Sequence, residues 1–445
     1  MKTQIACWVR GRAGRYAATA LGAGVLAAGA FAPAAAQAAA PKTLYVSQGG
    51  LNSGTCTSAS PCATVSYALT KAASGATIKV SGTIDDHLII SSPVTITTWA
   101  GGPAGSPAVL DGTQISNANG VVNINRSAVG VTLNDLTIEG GTPGIYNSGT
   151  LTLTDSTVTG NAGYDNGGGD CAGICNSDGA TMTIIDSTVA QNSGGGGYIG
   201  GINNAGTMAV IASTIAGNSG GGITSGIDGG TATLGATIVA SNTGGNCSES
   251  NASSIVSAGY NLTNDTSRAA CSFNSAHDLV GKNPLLGHLA SNGGLTQTML
   301  PSTKSPAANV IPKATKLHGV TVCPGTDQRG VARPGHGETR CTIGAAEAAF
   351  NKGTTTTVTV NPPTVTAGTM VIYLAVVAPK SGTGTPAGTI TFTTGSTTLC
   401  TAVLSGGAAA CGATNAPAGT DTVTGTYSGG AGYANSSGTA TLTVK

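Results

Sequence analysis

The chain has 445 residues, of which 8% are charged, with 19 Lys and Arg against 18 Asp and Glu. So little charge leaves no basic patch for nucleic acid and no polybasic run for lipid. With 70 glycines and only 4% aromatic residues, the chain is unsuited to a large aromatic core and suited to many narrow ones of small and β-branched side chains.

Residues 1–40 read as a secretory signal peptide. Lys2, Arg10, Arg12 and Arg15 form a basic start, and a weakly apolar stretch runs from Ala17 to Ala36. A-x-A cleavage patterns follow at Ala36–Ala38 and Ala38–Ala40. A secreted protein, extracellular or held at the cell surface, is expected. No later window has the ~20 continuous apolar residues of a membrane span, so none is expected in the mature chain. The cysteines agree with export. Cys7 leaves with the signal, and the other ten form sequential couples: Cys56 with Cys62, Cys171 with Cys175, Cys247 with Cys271, Cys323 with Cys341, and Cys400 with Cys411. Five local disulfides are predicted. Zinc is disfavoured, because no couple has C-x-x-C spacing and none has a histidine in finger register.

The segment Ala63–Gly75 is the one convincing amphipathic helix after the signal. Val65, Ala68, Leu69 and Ala72 share a face and Gly75 can end it. From residue 130 onward the chain repeats itself. "LTLTDSTVTGN", "MTIIDSTVAQN", "MAVIASTIAGN" and "ATLGATIVASN" end at Asn161, Asn192, Asn218 and Asn242, at intervals of 31, 26 and 24 residues. Leu133, Leu153, Ile184, Val210 and Leu234 form one apolar column, and Ile138, Val158, Val189, Ile215 and Val239 a second. Ile145, Ile174 and Ile202 form a third, each followed two residues on by Asn147, Asn176 or Asn204. Apolar residues alternate with Thr over four or five positions, and no 3.6-residue period runs through the copies. Short strands, fixed columns and variable Gly-rich turns predict a parallel β-helix whose coils bury their faces only by stacking. The Asn161, Asn192, Asn218 and Asn242 column is expected to be a turn ladder, with asparagine in left-handed geometry and each amide bonding the next rung.

Two stretches carry family resemblances. "LYVSQGG…CTSASPCATVSYALTKAASGATIKVSG" resembles the cap and first coil of pectin-lyase-like right-handed β-helix proteins, and "GIYNSGTLTLTDSTVTGN" resembles polymorphic outer membrane protein repeats. "NPLLGHLASNGGLTQTMLPSTKSPAANV" and "DQRGVARP…CTIGAAE" resemble the end of choice-of-anchor Q domain proteins, with Thr342 where that family usually has Asp and Ala346 where it usually has an aromatic residue. The resemblance covers roughly residues 42–350 and implies a right-handed parallel β-helix with a capping helix at its start and an irregular, disulfide-closed end. From Thr354 to Lys445, six runs of alternating residues separated by turn signals predict a β-sandwich, with Cys400 and Cys411 stapling a hairpin. "PAGTITF" and "PAGTDTVTGTYSGGAGYANS" resemble bacterial Ig-like repeats of group 3. The fold class expected is therefore all-β, a right-handed parallel β-helix followed by an Ig-like β-sandwich.

Chemistry is sparse. Asp135, Asp155 and Asp186 occupy one column, continued by Ala212 and Ala236, which reads first as a turn column and second as a candidate cation or sugar site. Asp165, Asp170 and Asp178 lie in or beside the Gly-rich insertion near Cys171 and Cys175. Arg126, the lone basic residue of the central coils, is the one weak candidate for a lyase base. "GNSGG" at Gly217–Gly221 belongs to the repeat rather than to a nucleophile elbow, and "GHG" at Gly335–Gly337 has no paired Asp. No cofactor is expected, with calcium as the one candidate ion. The reading is a monomeric structural or adhesive protein offering a Thr/Ser/Asn/Gly face to a glycan or surface protein. The alternative is a carbohydrate-active enzyme, a lyase or glycosidase, on the same fold. No C-terminal run of ~10-residue membrane strands is apparent, which argues against an autotransported protein.

Overall fold

The structure is a computed structural model. It describes residues 42–445 apart from 105–106, 115–119, 164–170, 196–198, 251–253, 268–270, 324, 336–337, 349–352, 381–383 and 431–432, and apart from the side chain of Ile227. The expected signal peptide, residues 1–40, therefore lies outside the described residues. Three parallel sheets run side by side along the N-terminal part. Sheet 1 has nine strands from Thr43–Ser47 to Ile255–Gly259. Sheet 2 has nine from Thr83–Asp85 to Leu279–Val280. Sheet 3 has seven from Leu88–Ile90 to Cys247–Glu249. Each coil passes from sheet 1 to sheet 2 to sheet 3 and returns one rung further on. This is a parallel β-helix.

The predicted apolar columns stack in register. Leu133, Leu153, Ile184, Val210 and Leu234 pair in turn across sheet 1, and Ile138, Val158, Val189, Ile215 and Val239 across sheet 2. Ile145, Ile174 and Ile202 do so in sheet 3. All are buried. Each such side chain contributes roughly 1.5–3 kcal/mol relative to exposure, and a single coil could not bury any of them.

Corners require the chain to turn without losing a rung. Between sheets 1 and 2 one residue per coil takes a left-handed conformation: Asp135, Asp155, Asp186, Ala212 and Ala236 have φ of 55, 48, 43, 49 and 52°. The Asp column is thus a turn column, as its spacing predicts. Short Asp tolerates this geometry better than most residues. Next to it, Ser156, Ser187, Ser213 and Thr237 form a buried hydroxyl ladder in which each accepts the preceding rung's N–H, as in Ser156 N–H to Ser187 Oγ at 3.2 Å.

Between sheets 2 and 3 the asparagine ladder is present. Asn161 Nδ2 donates to Asn192 Oδ1, Asn192 to Asn218, and Asn218 to Asn242, each at 2.9 Å. Its geometry corrects the expectation in one respect. The left-handed residues are those just before the asparagines: Gly160, Gln191, Gly217 and Ser241. A second ladder, Asn147 to Asn176 to Asn204 at 2.8 Å each and on to Ser225 at 3.0 Å, lines the return corner from sheet 3 to sheet 1.

Both ends of the core are covered. The helix is shorter than its periodicity suggests and spans Val65–Leu69, with Thr64 capping it by accepting the Tyr67 N–H. Val65 and Ala68 complete the apolar core of the first coil. At the other end Phe273 and the disulfide of Cys247 with Cys271 close the stack.

All five predicted disulfides are formed. Cys56 is bonded to Cys62 beside the capping helix, and both are buried in the core of the first coil. Cys171 is bonded to Cys175 across the start of the sheet 3 strand Ile174–Asn176, and both are buried there. Cys323 is bonded to Cys341, and Cys400 to Cys411.

The described residues of 283–348, hereafter the strap, return along the outside of sheet 2 and reach the edge of sheet 1, where Leu317 stands against Gly235. Ile311, Cys323, Cys341 and Ile343 of the strap pack on Ile238, Ala240 and Leu262. At Gly344 (φ 101°) an added Cβ would stand 2.7 Å from Ile238 Cδ1, so only glycine permits this approach.

The C-terminal part is a sandwich of a three-stranded and a five-stranded sheet. Its core holds Tyr373, Phe392, Val423 and Tyr427. Cys400 and Cys411 do not staple a hairpin. Thr397–Val403 pairs within the larger sheet and Ala408–Ala413 within the smaller, so the disulfide joins the two sheets.

The ladder yields a test. Asn192→Ala leaves the Asn161 N–H without its acceptor (3.1 Å) and removes the donors to Asn218 and Val158. The expected loss is roughly 2–4 kcal/mol, whereas Thr183→Ser, on an outward position, should change stability by less than about 0.5 kcal/mol. Denaturant titrations of the two variants check this.

Candidate functional site

The strap crosses the corner between sheets 1 and 2 where the Asp column lies, and it brings there residues that no repeat pattern reveals. Arg333 is buried, and its guanidinium N–H groups are fully engaged. Nη2 donates to Asp186 Oδ1 at 2.8 Å and to the Gly344 carbonyl at 2.7 Å. Nη1 donates to the Thr342 carbonyl at 2.9 Å and to Glu347 Oε1 at 3.2 Å, and Nε to the Thr326 carbonyl at 3.3 Å. Glu347 in turn accepts from the Thr342 N–H and hydroxyl and from the Gly335 N–H. Thr342 is therefore a donor to a buried acid. Asp327 accepts from Arg329 Nη2 at 2.6 Å and from the backbone N–H groups of Arg329, Val331 and Glu347. Gln328 reaches the solenoid itself, accepting from Thr188 Oγ1 at 2.6 Å and donating to Thr157 Oγ1 at 2.9 Å.

Charge counting explains the electrostatics. Among the described residues, Asp155, Asp186, Asp327 and Glu347 face two guanidinium groups, those of Arg329 and Arg333. Asp155 has no hydrogen bond to its carboxyl among the described residues. Burial, followed by the neighbouring charge of Asp186, pushes it up to about 7. Burial also pushes Asp186 up to about 6, against the opposing pull of Arg333. Arg333 stays charged, because the surrounding carboxylates outweigh its desolvation. Asp135, one rung earlier, is raised by burial and accepts from Asn134 Nδ2 at 2.6 Å.

The structure places the candidate residues in separate locations. Asp135, Asp155 and Asp186 align on one corner, and Asp186 meets an internal arginine where a cation ligand was considered. Arg126 lies at a different corner, between sheets 3 and 1, where Nη2 donates to the Asp178 carbonyl at 3.1 Å. It does not join the Asp column. Asp165 and Asp170 lie outside the described residues, as do His336 and Gly337 of the "GHG" stretch. Among the described residues no group of three or more His, Cys, Asp and Glu is arranged to hold a metal ion. A second acidic column, Asp85, Asp111 and Glu139 in sheet 2, was not anticipated. Burial and the charge of Asp111 raise Glu139.

Comparison with known proteins adds one assignment. Residues 344–445 match the bacterial Ig-like domain (group 3) family. The matched span begins in the strap, at Gly344, ten residues before the first sandwich strand, Thr354–Asn361. A solved structure similar to the chain is the crystal structure of pectate lyase Pel9A, at 13% identity and a TM-score of 0.37, over 69% of this chain and 96% of that one. No curated protein matches the chain.

Two predictions follow from the cluster. Asp155 has a folded pKa of about 7, above its ordinary 3.8, so the folded protein holds a proton that the unfolded chain releases. This contribution is full below the unfolded value and is lost as pH rises through the folded one. The melting temperature should therefore fall between pH 5 and about pH 8, and Asp155→Asn should flatten the fall and raise the value at the alkaline end. Melting curves across that range read it directly. Arg333→Met strands Asp186 and Glu347 without their cation, and breaking such a buried pair costs roughly 3–5 kcal/mol. Urea unfolding at neutral pH should register that loss.

Proposed function

We propose that this is a secreted or cell-surface structural and adhesive protein that works by presenting the outer face of sheet 1 to a partner outside the cell. The observation that carries the reading is the contrast between two threonine-bearing faces. On sheet 2 the outward hydroxyls are engaged by the strap: Thr157 donates to the Gln297 carbonyl, Thr188 to Gln328, and Thr214 accepts the Ala345 N–H. On sheet 1 the outward threonines Thr95, Thr132, Thr152 and Thr183 are partly exposed, and their hydroxyls bond to no described residue. Asp186, one of the acidic residues available to a polysaccharide-cleaving enzyme, is held under the strap by Arg333. The Ig-like domain supports the reading as a module that can hold the solenoid away from its attachment.

One observation favours the enzymatic alternative. Asp155 keeps its proton to about pH 7 beside the ionised Asp186, and acid–base pairs arise from carboxyls whose environments differ in this way.

The test runs both readings together. The full chain is assayed for release of reducing or unsaturated ends from a panel of acidic and neutral polysaccharides, and for retention on surfaces coated with the same polymers. Retention without cleavage, lost in Thr152→Lys/Thr183→Lys and unchanged in Asp155→Asn, is the expected result. Cleavage that Asp155→Asn abolishes would overturn the adhesive reading.

A further inference from the structure

The outward threonines of sheet 1 form two columns, which make a two-dimensional mesh on the strands Thr150–Thr154, Thr181–Ile185 and Thr231–Gly235. Thr43, Thr77, Thr95, Thr132, Thr152 and Thr183 pair one to the next across six successive rungs, and after Ala209 the column resumes at Thr233. A second column, Thr150, Thr181, Thr207 and Thr231, runs beside it two residues earlier on each strand. Rungs are about 4.8 Å apart and alternate residues along a strand about 7 Å apart, so the mesh is rectangular with those two repeats. No charged residue stands in either column. Threonine is stiff at χ1, so the hydroxyls and methyls are set in place before any partner arrives.

These features select the partner by its chemistry. Lys79 stands on this face at the second rung, but from the strand Val94–Thr98 to the strand Thr231–Gly235 the outward positions carry no charge with which an ion or a charged polymer could pair. The aromatic residues of this face, Tyr45 with Trp99 packed against it, stand at its first rungs, so a flexible glycan chain on the threonine columns gains only weak contacts against the conformational freedom it loses. A rigid lattice has no such loss. It must be uncharged, must offer both donors and acceptors to hydroxyls, and must repeat at the spacing of the mesh. Crystalline water meets all three conditions: its prism-plane oxygens form a rectangular mesh close to this one, with water seated between the methyl ranks.

We propose that the threonine face of sheet 1 binds the surface of ice. The proposal rests on the reading of that face as the working surface of the molecule, and it names the partner. Adsorption is cumulative: each threonine contributes little, and binding depends on the number of rungs in register.

The experiment uses the full mature chain, fluorescently labelled, partitioned between a growing polycrystalline ice surface and the residual liquid. The controls are an inert labelled protein, Thr152→Lys/Thr183→Lys, and Thr357→Lys on the exposed side of the sandwich strand Thr354–Asn361. Circular dichroism establishes that each variant keeps the parent's fold. The wild type and Thr357→Lys should concentrate in the ice fraction about tenfold over the inert protein, and the double variant should lose that enrichment. Wild-type partitioning no better than the inert protein would overturn the inference, and so would a double variant that partitions as well as the wild type. The polymer-retention assay separates the two levels. Retention lost in the double variant without ice partitioning leaves the adhesive reading standing and removes ice as the partner. Absence of both removes the reading as well.

Discussion

A buried asparagine that gives its amide proton to the asparagine one rung away is the interaction on which this solenoid depends. Backbone hydrogen bonds fix the spacing of strands and continue through the corners, as from the Ser193 N–H to the Asn161 carbonyl at 2.8 Å, but at a corner the chain must also turn inside a dry core. An amide side chain solves this because it is donor and acceptor at once: Asn192 accepts from Asn161 and donates to Asn218. Aligned amides polarise one another in a low-dielectric interior. The arrangement works only if successive corners superimpose, so much of the variation in coil length is moved outward. Thirteen positions separate Asn161 from Ile174, whereas five separate Asn218 from Ile223. The hydroxyl ladder at the first corner and the Asn147–Asn176–Asn204 ladder at the third obey the same rule.

Similar sequence text has two fates in this molecule. Strands of sheet 1 and sheet 2 both turn threonine outward, as β-branched residues favour pleated surfaces. What separates them is the strap, which places Gln328, Ala345 and apolar side chains over sheet 2 and leaves the threonine columns of sheet 1 open. The saturated Arg333–Glu347–Asp186 network fixes where the strap lies. Burying three charges together would be costly without the hydrogen bonds that surround them.

Much of the solenoid was legible in the sequence because its information is periodic. Leu153, Ile184 and Val210, or Asn161, Asn192 and Asn218, recur at coil spacing and can be aligned by eye. The Asp column was legible as a turn for the same reason. Its partner was not, because Arg333 lies 147 residues from Asp186 and belongs to no repeat. A composition signal was available: residues 327–340 hold Asp327, Arg329, Arg333, Glu338 and Arg340 in a chain with 8% charge. The helix was overextended because Ala63–Gly75 keeps an apolar face beyond Leu69, where the chain already leaves the helix for the strand Ala76–Ser81. The pairing of Cys56 with Cys62 and of Cys171 with Cys175 was legible because each couple is local, six and four residues apart. The pairing of Cys400 with Cys411 was legible too, but not its place between two sheets. The strand Ala408–Ala413 is alanine-rich and lacks the β-branched signature that marked its neighbours.

The strap has a mechanical consequence. A pull on the C-terminal module would reach the solenoid first where the strap is fastened, at Gly344 to Ala236, Ala345 to Thr214 and Arg333 to Asp186. Those attachments lie one, two and three rungs inside the end of sheet 1. The terminal rung, whose strands could otherwise peel away one bond at a time, is spared. The fastenings are spread over successive coils, so they would share tension as a seam loaded in shear and would have to fail together. Resistance to such a force is governed by the rate of unfolding rather than by equilibrium stability. Anchoring the strap short of the terminal rung is thus a way for a stack of weak repeats to bear load.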